Sequence, residues 1–555
     1  MGKLQFCFLS SLAKIPPYLK KLPLSIEQGK MLQGERFNFQ LLFYSGDMHN
    51  RKSRVEIISD FPGTFSVREV CYTPVSFTGY EPCDKDVLSD MAGIYPDRLA
   101  PLKDECTRVV IRQTKTLWIS VDAPSDAPPG EYGVKLRFTV HPDDADGEAA
   151  AKEPIQYFTT PEFKLQLLPF ALPEQRLKVT QWFHPDSLTS CYKVPMWSEE
   201  HWQLVEKCFC DMSSHGTNMI LVPVLSLILN VAEGHRREMA QLAVIRRTEE
   251  GEYRFDLSLV ERYMNLALAC GFKYFEISHL FSQWGAAYAP PVTVNGELLF
   301  DGMTPGSDPE YRKLLKGLLR ELKVLLEKLG VSGRTVFHCS DEPPADKIGQ
   351  YREAVEFLKE ELAGFQIIDA LNNADIFSAS GVDTPVPLIS QLKFFKKMKL
   401  REKWCYYCCA PARKMPNRFI HFPSSRNRIF GVLLWKHGME GFLHWGYNFY
   451  FEALSRFAVD PCSDPGSDRF YPPGDAFLVY PGADGSPEDS IRHEVFAEAL
   501  QDFRLLDLLS ARLGKKRVLQ LLSKLCGRLS MTAYPKGEKA VLELREKLLE
   551  TLEQS

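Results

Sequence analysis

Two hydrophobic periodicities divide this chain. Up to about residue 170, short runs rich in aromatic and β-branched residues alternate apolar with polar positions, as at 38–44, 55–58, 117–121 and 133–140. Turn-forming stretches separate them, among them Ala127-Pro128-Pro129-Gly130-Glu131-Tyr132. Alternation of period two with frequent turns predicts an antiparallel β-sandwich over residues 1–170. An acidic, alanine-bearing insert at 143–148 reads as a solvated hairpin tip or loop without a function.

Pro169-Phe170-Ala171-Leu172-Pro173-Glu174 reads as a short stiff linker, and beyond it the pattern changes. Apolar runs at 178–183, 218–222, 274–277, 335–338, 366–369, 386–389, 403–407 and 441–445 alternate with stretches of helical spacing at 198–215, 256–270, 309–329, 345–362 and 391–401. In the third of these helices Leu314, Leu315, Leu318, Leu319, Leu322, Leu325 and Leu326 mark one face. Eight β/α units joined by right-handed crossovers predict a (β/α)8 barrel over residues 178–513, its last helix running from about 490 to 513. The sixth strand is the least regular, because Pro385 and Pro387 fall in it. Residues 514–555 read as a charged helical surface appendage. The fold class is therefore multidomain, β followed by α/β.

Composition narrows the partners. A chain of 555 residues, 45% hydrophobic and 25% charged, can bury a large core and splits into at least two domains. Lys+Arg 67 against Asp+Glu 71 gives a net charge of −4 with no long run of one sign, which argues against nucleic acid and membrane as partners. The N-terminus has one early lysine and a short apolar stretch broken by Ser10, Ser11 and Lys14, a poor match to a secretory leader, and no run is long enough to span a bilayer. Cys208, Cys210, Cys270, Cys405, Cys408 and Cys409 fall inside expected helices and strands, as in a reduced compartment. Neither the Cys208/Cys210 nor the Cys408/Cys409 pair has a second pair at zinc spacing. A cytoplasmic protein with free thiols, no metal and no cofactor is expected, and the charged tail leaves room for a homodimer.

The chemistry gathers at the expected carboxyl ends of the barrel strands. The run Thr335-Val336-Phe337-His338-Cys339-Ser340-Asp341-Glu342-Pro343-Pro344 is a strand ending in two carboxylates and two prolines. Pro343 biases Glu342 away from helix and Pro344 donates no ladder bond, so the two carboxyls are splayed around one spot. The bland alternative is an exposed turn that caps the helix beginning near Asp346. Around this rim the pattern also places His184 and Asp186 after the first strand, His279 and Gln283-Trp284 after the third, and Asp369 and Asn372 after the fifth. Tyr406 and Tyr407 end the seventh strand, and Trp445, Tyr447 and Asn448 end the eighth. Carboxylates with aromatics at one face suit sugar recognition, and His184, His279, Trp284, His338, Asp369, Tyr406, Tyr407, Trp445, Tyr447 and Asn448 are the candidate substrate contacts. A retaining glycosidase with two carboxylates needs a nucleophile about 5 Å from its acid, and the seventh and eighth strands offer no carboxylate. Adjacent Asp341 and Glu342 suit substrate-assisted hydrolysis instead, with a 2-acetamido group as nucleophile, Glu342 as acid/base and Asp341 stabilising the amide N–H.

Gln181-Trp182-Phe183-His184, His279-Leu280-Phe281-Ser282-Gln283-Trp284-Gly285, Ser340-Asp341-Glu342-Pro343, Asn417-Arg418-Phe419-Ile420, Gly441-Phe442-Leu443-His444-Trp445-Gly446-Tyr447-Asn448, Gly474-Asp475 and Tyr480-Pro481-Gly482 together resemble the domain of unknown function 4091. That domain is the catalytic part of glycoside hydrolase family 123. The resemblance spans about 179–513 and implies a sandwich ahead of a barrel and a β-N-acetylgalactosaminidase-like activity on a glycan or glycoconjugate. It carries the family's acid pair onto Asp341, as amide stabiliser, and Glu342, as general acid/base. A β-N-acetylglucosaminidase of the same mechanism, an enzyme for larger sulfated or sialylated glycans, and a non-catalytic glycan-binding barrel remain as alternatives.

Overall fold

The computed structural model describes residues 3–19, 22–48, 50–79, 84–141, 154–231 and 236–555; the acidic insert at 143–148 lies outside them. Two compact units divide the chain. Met1–Gln175, Pro416–Lys436 and Glu488–Ser555 form one, and Arg176–Met415 with His437–Pro487 form the other.

The first unit holds the sandwich. One sheet orders the strands Leu4–Ser10, Arg36–Ser45, Lys115–Asp122, Thr64–Val75 and Gly93–Pro101; the other orders Gln28–Gln33, Phe163–Ala171, Gly130–Val140, Arg51–Ser59 and Cys106–Val109. All pairs are antiparallel except Gln28–Gln33 with Phe163–Ala171. Alternate residues of both sheets meet in one core, where Phe39 stacks on Phe163 with ring centroids 4.4 Å apart. The apolar stretch near the N-terminus is thus a sandwich strand, paired with Arg36–Ser45 throughout.

The helix Ile491–Leu513 belongs to this unit, although its place in the sequence suggests the outer helix of the eighth β/α unit. Its composition explains the difference. An outer barrel helix needs one apolar stripe, whereas this helix buries Arg492, Glu494, Glu498 and Asp502 along with its leucines and phenylalanines. Each of these charges has a partner within the unit: Arg492 pairs with Asp97, Glu494 with Arg68, and Arg428 with both Glu498 and Asp502. The charged tail is built in as well. Helix Glu538–Glu553 buries Val541, Leu544, Leu548, Leu549 and Leu552, and its Arg545 bridges Glu35 and Asp502.

The second unit is the barrel. Eight strands form: Lys178–Gln181, Met219–Val222, Tyr274–Ile277, Thr335–Phe337, Gln366–Ala370, Thr384–Val386, Trp404–Tyr406 and Gly441–His444; the sixth lies ahead of the expected 386–389 and shares only Val386 with it. Each pairs in parallel with its neighbour, and the first pairs with the eighth. The gap between sixth and seventh closes through a parallel bridge of Leu388 with Tyr406, where Ile389 N donates to Tyr406 O at 2.9 Å and Tyr406 N to Pro387 O at 3.1 Å. Pro385 and Pro387 shorten the sixth strand because neither can donate to a ladder.

The outer helices follow their sequence signals. Asp308 caps helix Pro309–Lys328 by accepting from Glu310 N and Tyr311 N, Pro309 takes the first turn, where its missing N–H costs nothing, and Gly330 follows the end with φ 67°. The leucine stripe is wholly buried, each side chain worth roughly 1.5–3 kcal/mol of transfer free energy. Long excursions follow the second and third strands, each carrying a small hairpin, Val244–Arg247 with Tyr253–Asp256 and Val292–Val294 with Glu297–Phe300. All described cysteines are free, and among the described residues no helix is long and apolar enough to cross a membrane.

Arg428 offers a direct check on the first unit. Arg428→Ala leaves two buried carboxylates short of their cation and should lower stability by about 3–5 kcal/mol in chemical denaturation. Lys539→Ala, which removes an exposed pair with Glu543, should leave the midpoint unchanged.

Candidate active site

Beyond Phe337 the fourth strand stays extended, held by the continuation of the third. His338 N donates to Ile277 O, Leu280 N to His338 O, Phe281 N to Cys339 O and Trp284 N to Asp341 O, at 2.8–3.1 Å. Ser340 Oγ accepts from Gly285 N and Ala286 N and donates to Ser282 O at 2.7 Å. Gly285 has φ 113°, and a Cβ there would come within 2.8 Å of the Lys347 side chain, so this close approach requires glycine.

The chain then breaks at Glu342. Pro343 disfavours right-handed helix there, yet the residue takes the left-handed region, φ 43°, rather than the extended one, at a cost of about 1–2 kcal/mol. The turn sends two neighbouring carboxyls to different partners. Asp341 Oδ2 accepts from Gln283 Nε2 at 2.8 Å, and Glu342 Oε1 accepts from Tyr406 OH and from Asn372 Nδ2 at 3.2 Å. Neither caps a helix: Ile348–Glu361 begins without a side-chain cap, so the bland alternative is not what forms.

Both partners are themselves fixed. Gln283 Oε1 accepts from Asn230 N at 3.0 Å, which turns its amide nitrogen towards Asp341. Asn372 Oδ1 accepts from Leu388 N, and its Nδ2 also donates to Tyr406 OH at 2.7 Å. Burial and the neighbouring Glu342 charge push the Asp341 carboxyl up to about 8, with Gln283 and His338 acting against them. Near neutral pH Asp341 is therefore held towards its protonated form. Burial and Glu342 also hold the Tyr406 phenol well above its usual range, so it stays a donor.

His338 and Asp369, expected on the rim, lie beneath it and are fully buried. His338 Nε2 is 2.9 Å from Glu276 and its Nδ1 3.3 Å from Asp369. Asp369 also accepts from Cys339 N, Ser340 N and Tyr351 OH. His279 is buried too, stacked on His338 at 4.7 Å, with Trp182 edge-on to both rings. His279, His338 and Asp369 are close enough to be tested as cation ligands. They do not suit one: the two rings stack at 29° rather than converge, and both His338 nitrogens are engaged by carboxylates.

A second group joins the first and eighth strands. His184 Nε2 lies 2.9 Å from Trp445 O, and Asn448 bonds the His184 backbone through both of its amide atoms. Trp445 Nε1 donates to Asp475, which also faces His444. Burial and the Arg237 charge push His184 down to about 3, so it is neutral. Tyr407 and Tyr447 are fully buried elsewhere: Tyr407 packs on Phe442 and His444, and Tyr447 OH donates to Asp211 at 2.5 Å. Of the ten expected sugar contacts, Tyr406 meets the acid pair through its side chain, and Trp284 does so through its backbone with its indole 44% exposed.

Beside Gln283 and Trp284 opens a cavity of about 120 Å³, lined also by Tyr288, Met303, Arg237 and Lys347. Arg237 is ion-paired with Asp186 at 2.6 Å, its guanidinium over the rings of Phe449 and Phe451. Gln283 and Asn372 were visible in the sequence as rim residues without a stated role. Glu276 was missed, although an acid inside the apolar run Tyr274-Phe275-Glu276-Ile277 was a readable signal.

Residues 182–509 match the family model for the glycoside hydrolase 123 catalytic domain, a span that takes in segments of both compact units. The chain belongs to glycoside hydrolase family 123. Among solved structures it is similar to a family 123 glycoside hydrolase from Clostridium perfringens, described for glycolipid glycan hydrolysis, at 15% identity and a TM-score of 0.73, covering 100% of this chain and 98% of that one. A family 5 mannosidase mutant from Rhizomucor miehei (9% identity, 63% and 95% covered, TM-score 0.32) and a putative beta-galactosidase from Bacteroides fragilis (9%, 84% and 58%, TM-score 0.31) overlap too loosely to carry an argument. No curated protein matches the chain.

The Asp341 environment makes a stability prediction. An unfolded aspartate ionises near 3.9, the folded one near 8, so stability is fully present below about 4 and is lost as pH rises to about 8. Asp341→Asn mimics the neutral acid. It should raise the unfolding temperature relative to the parent at pH 8 and leave it unchanged at pH 4; equal shifts at both would contradict the assignment.

Proposed function

We propose that this family 123 chain is a retaining β-N-acetylhexosaminidase that removes terminal β-linked N-acetylgalactosamine by substrate-assisted hydrolysis. The observation that carries the reading is the adjacent acid pair, Asp341 on Gln283 and Glu342 on Tyr406 and Asn372, while Asp186, Asp369 and Asp475 at the same barrel end are buried and held by side-chain partners. No such carboxylate is poised to attack an anomeric carbon. The substrate's acetamide oxygen attacks instead, the glycosidic C–O bond breaks, and Glu342 gives its proton to the departing oxygen. Asp341, ionised, accepts from the amide N–H as positive charge develops on the oxazolinium ring. Water then opens that ring, giving its proton to Glu342 and retaining the β configuration.

The proton must sit on Glu342 when chemistry begins. An amide N–H arriving at Asp341 favours its charged form, which moves the proton to Glu342. Glu342 Oε2, which has no protein partner among the described residues, is the oxygen free to hold it. The exposed Trp284 indole supplies a stacking platform for a sugar face, and the cavity beside it gives the substrate room. The Clostridium perfringens relative is described for glycolipid glycans, which makes a glycolipid-borne terminal residue a natural first substrate to try. Free cysteines fit a reduced, cytoplasmic setting. A binding module has no use for a left-handed residue and an acid pair at this rim, which favours the enzyme reading.

Two sets of assays test this. On chromogenic β-glycosides, the N-acetylgalactosaminide should be cleaved faster than its gluco epimer, and the galactoside lacking the acetamide should be inert. Glu342→Gln should lose most activity on poor leaving groups and retain more on an activated aryl glycoside. Asp341→Asn should lose on the order of 10²–10³-fold on both, about 2.7–4 kcal/mol. A covalent ester on any carboxylate, trapped by a 2-fluoro sugar, would rule the mechanism out.

A further inference from the structure

Beneath the acid pair a line of buried polar side chains crosses the barrel interior. Thr180, on the first strand, donates to Glu276 Oε1; Glu276 Oε2 faces His338 Nε2, His338 Nδ1 faces Asp369, and Tyr351 OH donates to Asp369 at 2.5 Å. A carboxyl group faces each ring nitrogen of His338, an arrangement that favours the imidazolium, in which both nitrogens donate. The two carboxylates push it up to about 9 despite its burial.

Asp369 does a second thing. On one edge, residues 338–341 are held by backbone bonds from the third strand's continuation. On the other edge Cys339 N and Ser340 N bond no backbone carbonyl; they donate to the Asp369 carboxylate, at 3.0 and 3.2 Å. A side chain thus replaces the strand ladder in the two residues before Asp341. Neither Asp369 nor His338 is exposed enough to touch a sugar.

We propose that His338, clamped by Glu276 and Asp369, is a positioning residue for the acid pair rather than a substrate contact. The clamp fixes the carboxylate that stands in for the ladder, and through it the placement of Asp341 and Glu342. It also supplies positive charge next to Asp341. The groups facing Asp341 are Glu342 from its own segment, Gln283 from the third strand's continuation, Asp369 from the fifth strand and His338 from the fourth; of these His338 is the cation. The catalytic part of this inference rests on the acid–base roles proposed above.

The sign follows. A neutral residue at 338 withdraws the field that favours ionised Asp341, so Asp341 ionises at higher pH and the acid limb of kcat/KM moves upward. For His338→Gln on an aryl N-acetyl-β-galactosaminide we expect kcat to fall about tenfold or more with KM changed by less than about threefold, because the loss is in geometry and not in sugar binding. Glu276→Gln keeps the size and one hydrogen bond while removing one of the two carboxylates that hold the imidazole; it should lower kcat by less, again with KM little changed, and it serves if His338→Gln does not fold. A substrate-free readout separates this idea from the substrate assignment: the stabilisation by Asp341→Asn at pH 8 should grow when His338→Gln is already present. A rise in KM alone, or a folded variant with parental kcat, pH profile and Asp341→Asn increment, would overturn the proposal.

Discussion

Two carboxyl groups adjacent in the chain have to be brought to one spot at the end of a barrel strand, and that electrostatic constraint shapes everything around it. Asp341 is buried, and an unscreened neighbouring charge makes its ionisation expensive. The fold answers in three ways. Glu342 leaves the extended conformation through the left-handed region, each carboxyl receives its own neutral donors, and an imidazolium is held below. Each answer has a cost, in backbone strain or in buried polar groups that must all be satisfied. Such costs gathered at one strand end are what a functional site is expected to carry.

Rigidity around the pair comes from several strands at once. The third strand's continuation fixes the backbone of residues 338–341, the fifth supplies Asp369 and Asn372, and the seventh supplies Tyr406. A barrel suits this work because parallel strands end together at one rim while their side chains reach the same interior. The buried face of the outer helix Ile348–Glu361 reaches this network through Tyr351, whose hydroxyl donates to Asp369.

Much of this was legible in the sequence, for physical reasons. The eight strands are short apolar runs bounded by helices of strong 3.6-residue periodicity, and seven form where that pattern places them, while the sixth, with its two prolines, begins two residues early. The acid pair could be read because two carboxylates and two prolines end a β-branched run. What stayed hidden depended on parity and on partners far away in sequence. Tyr406 and Tyr407 are neighbours in or just past a strand, so only one can face the barrel interior; it is Tyr406, and alternation alone does not say which. His338 and Asp369 look like rim residues, yet the strand continues past Phe337 far enough to bury them. Helix Ile491–Leu513 reads as an outer barrel helix until its buried Glu494, Glu498 and Asp502 are seen to meet Arg68 and Arg428. Long-range ion pairing leaves no periodic trace in a sequence.

If the substrate's own amide is the nucleophile, served by Asp341, the rate follows the electron density on the amide oxygen. The most direct measurement is kcat/KM across aryl β-glycosides whose N-acetyl group carries zero, one, two or three fluorines, with the leaving group unchanged. Fluorine withdraws electrons from the amide oxygen without altering the aglycone, so participation predicts a steep, monotonic fall along the series. A flat series, with the trifluoroacetamide cleaved as fast as the acetamide, would show that the amide takes no part in the reaction.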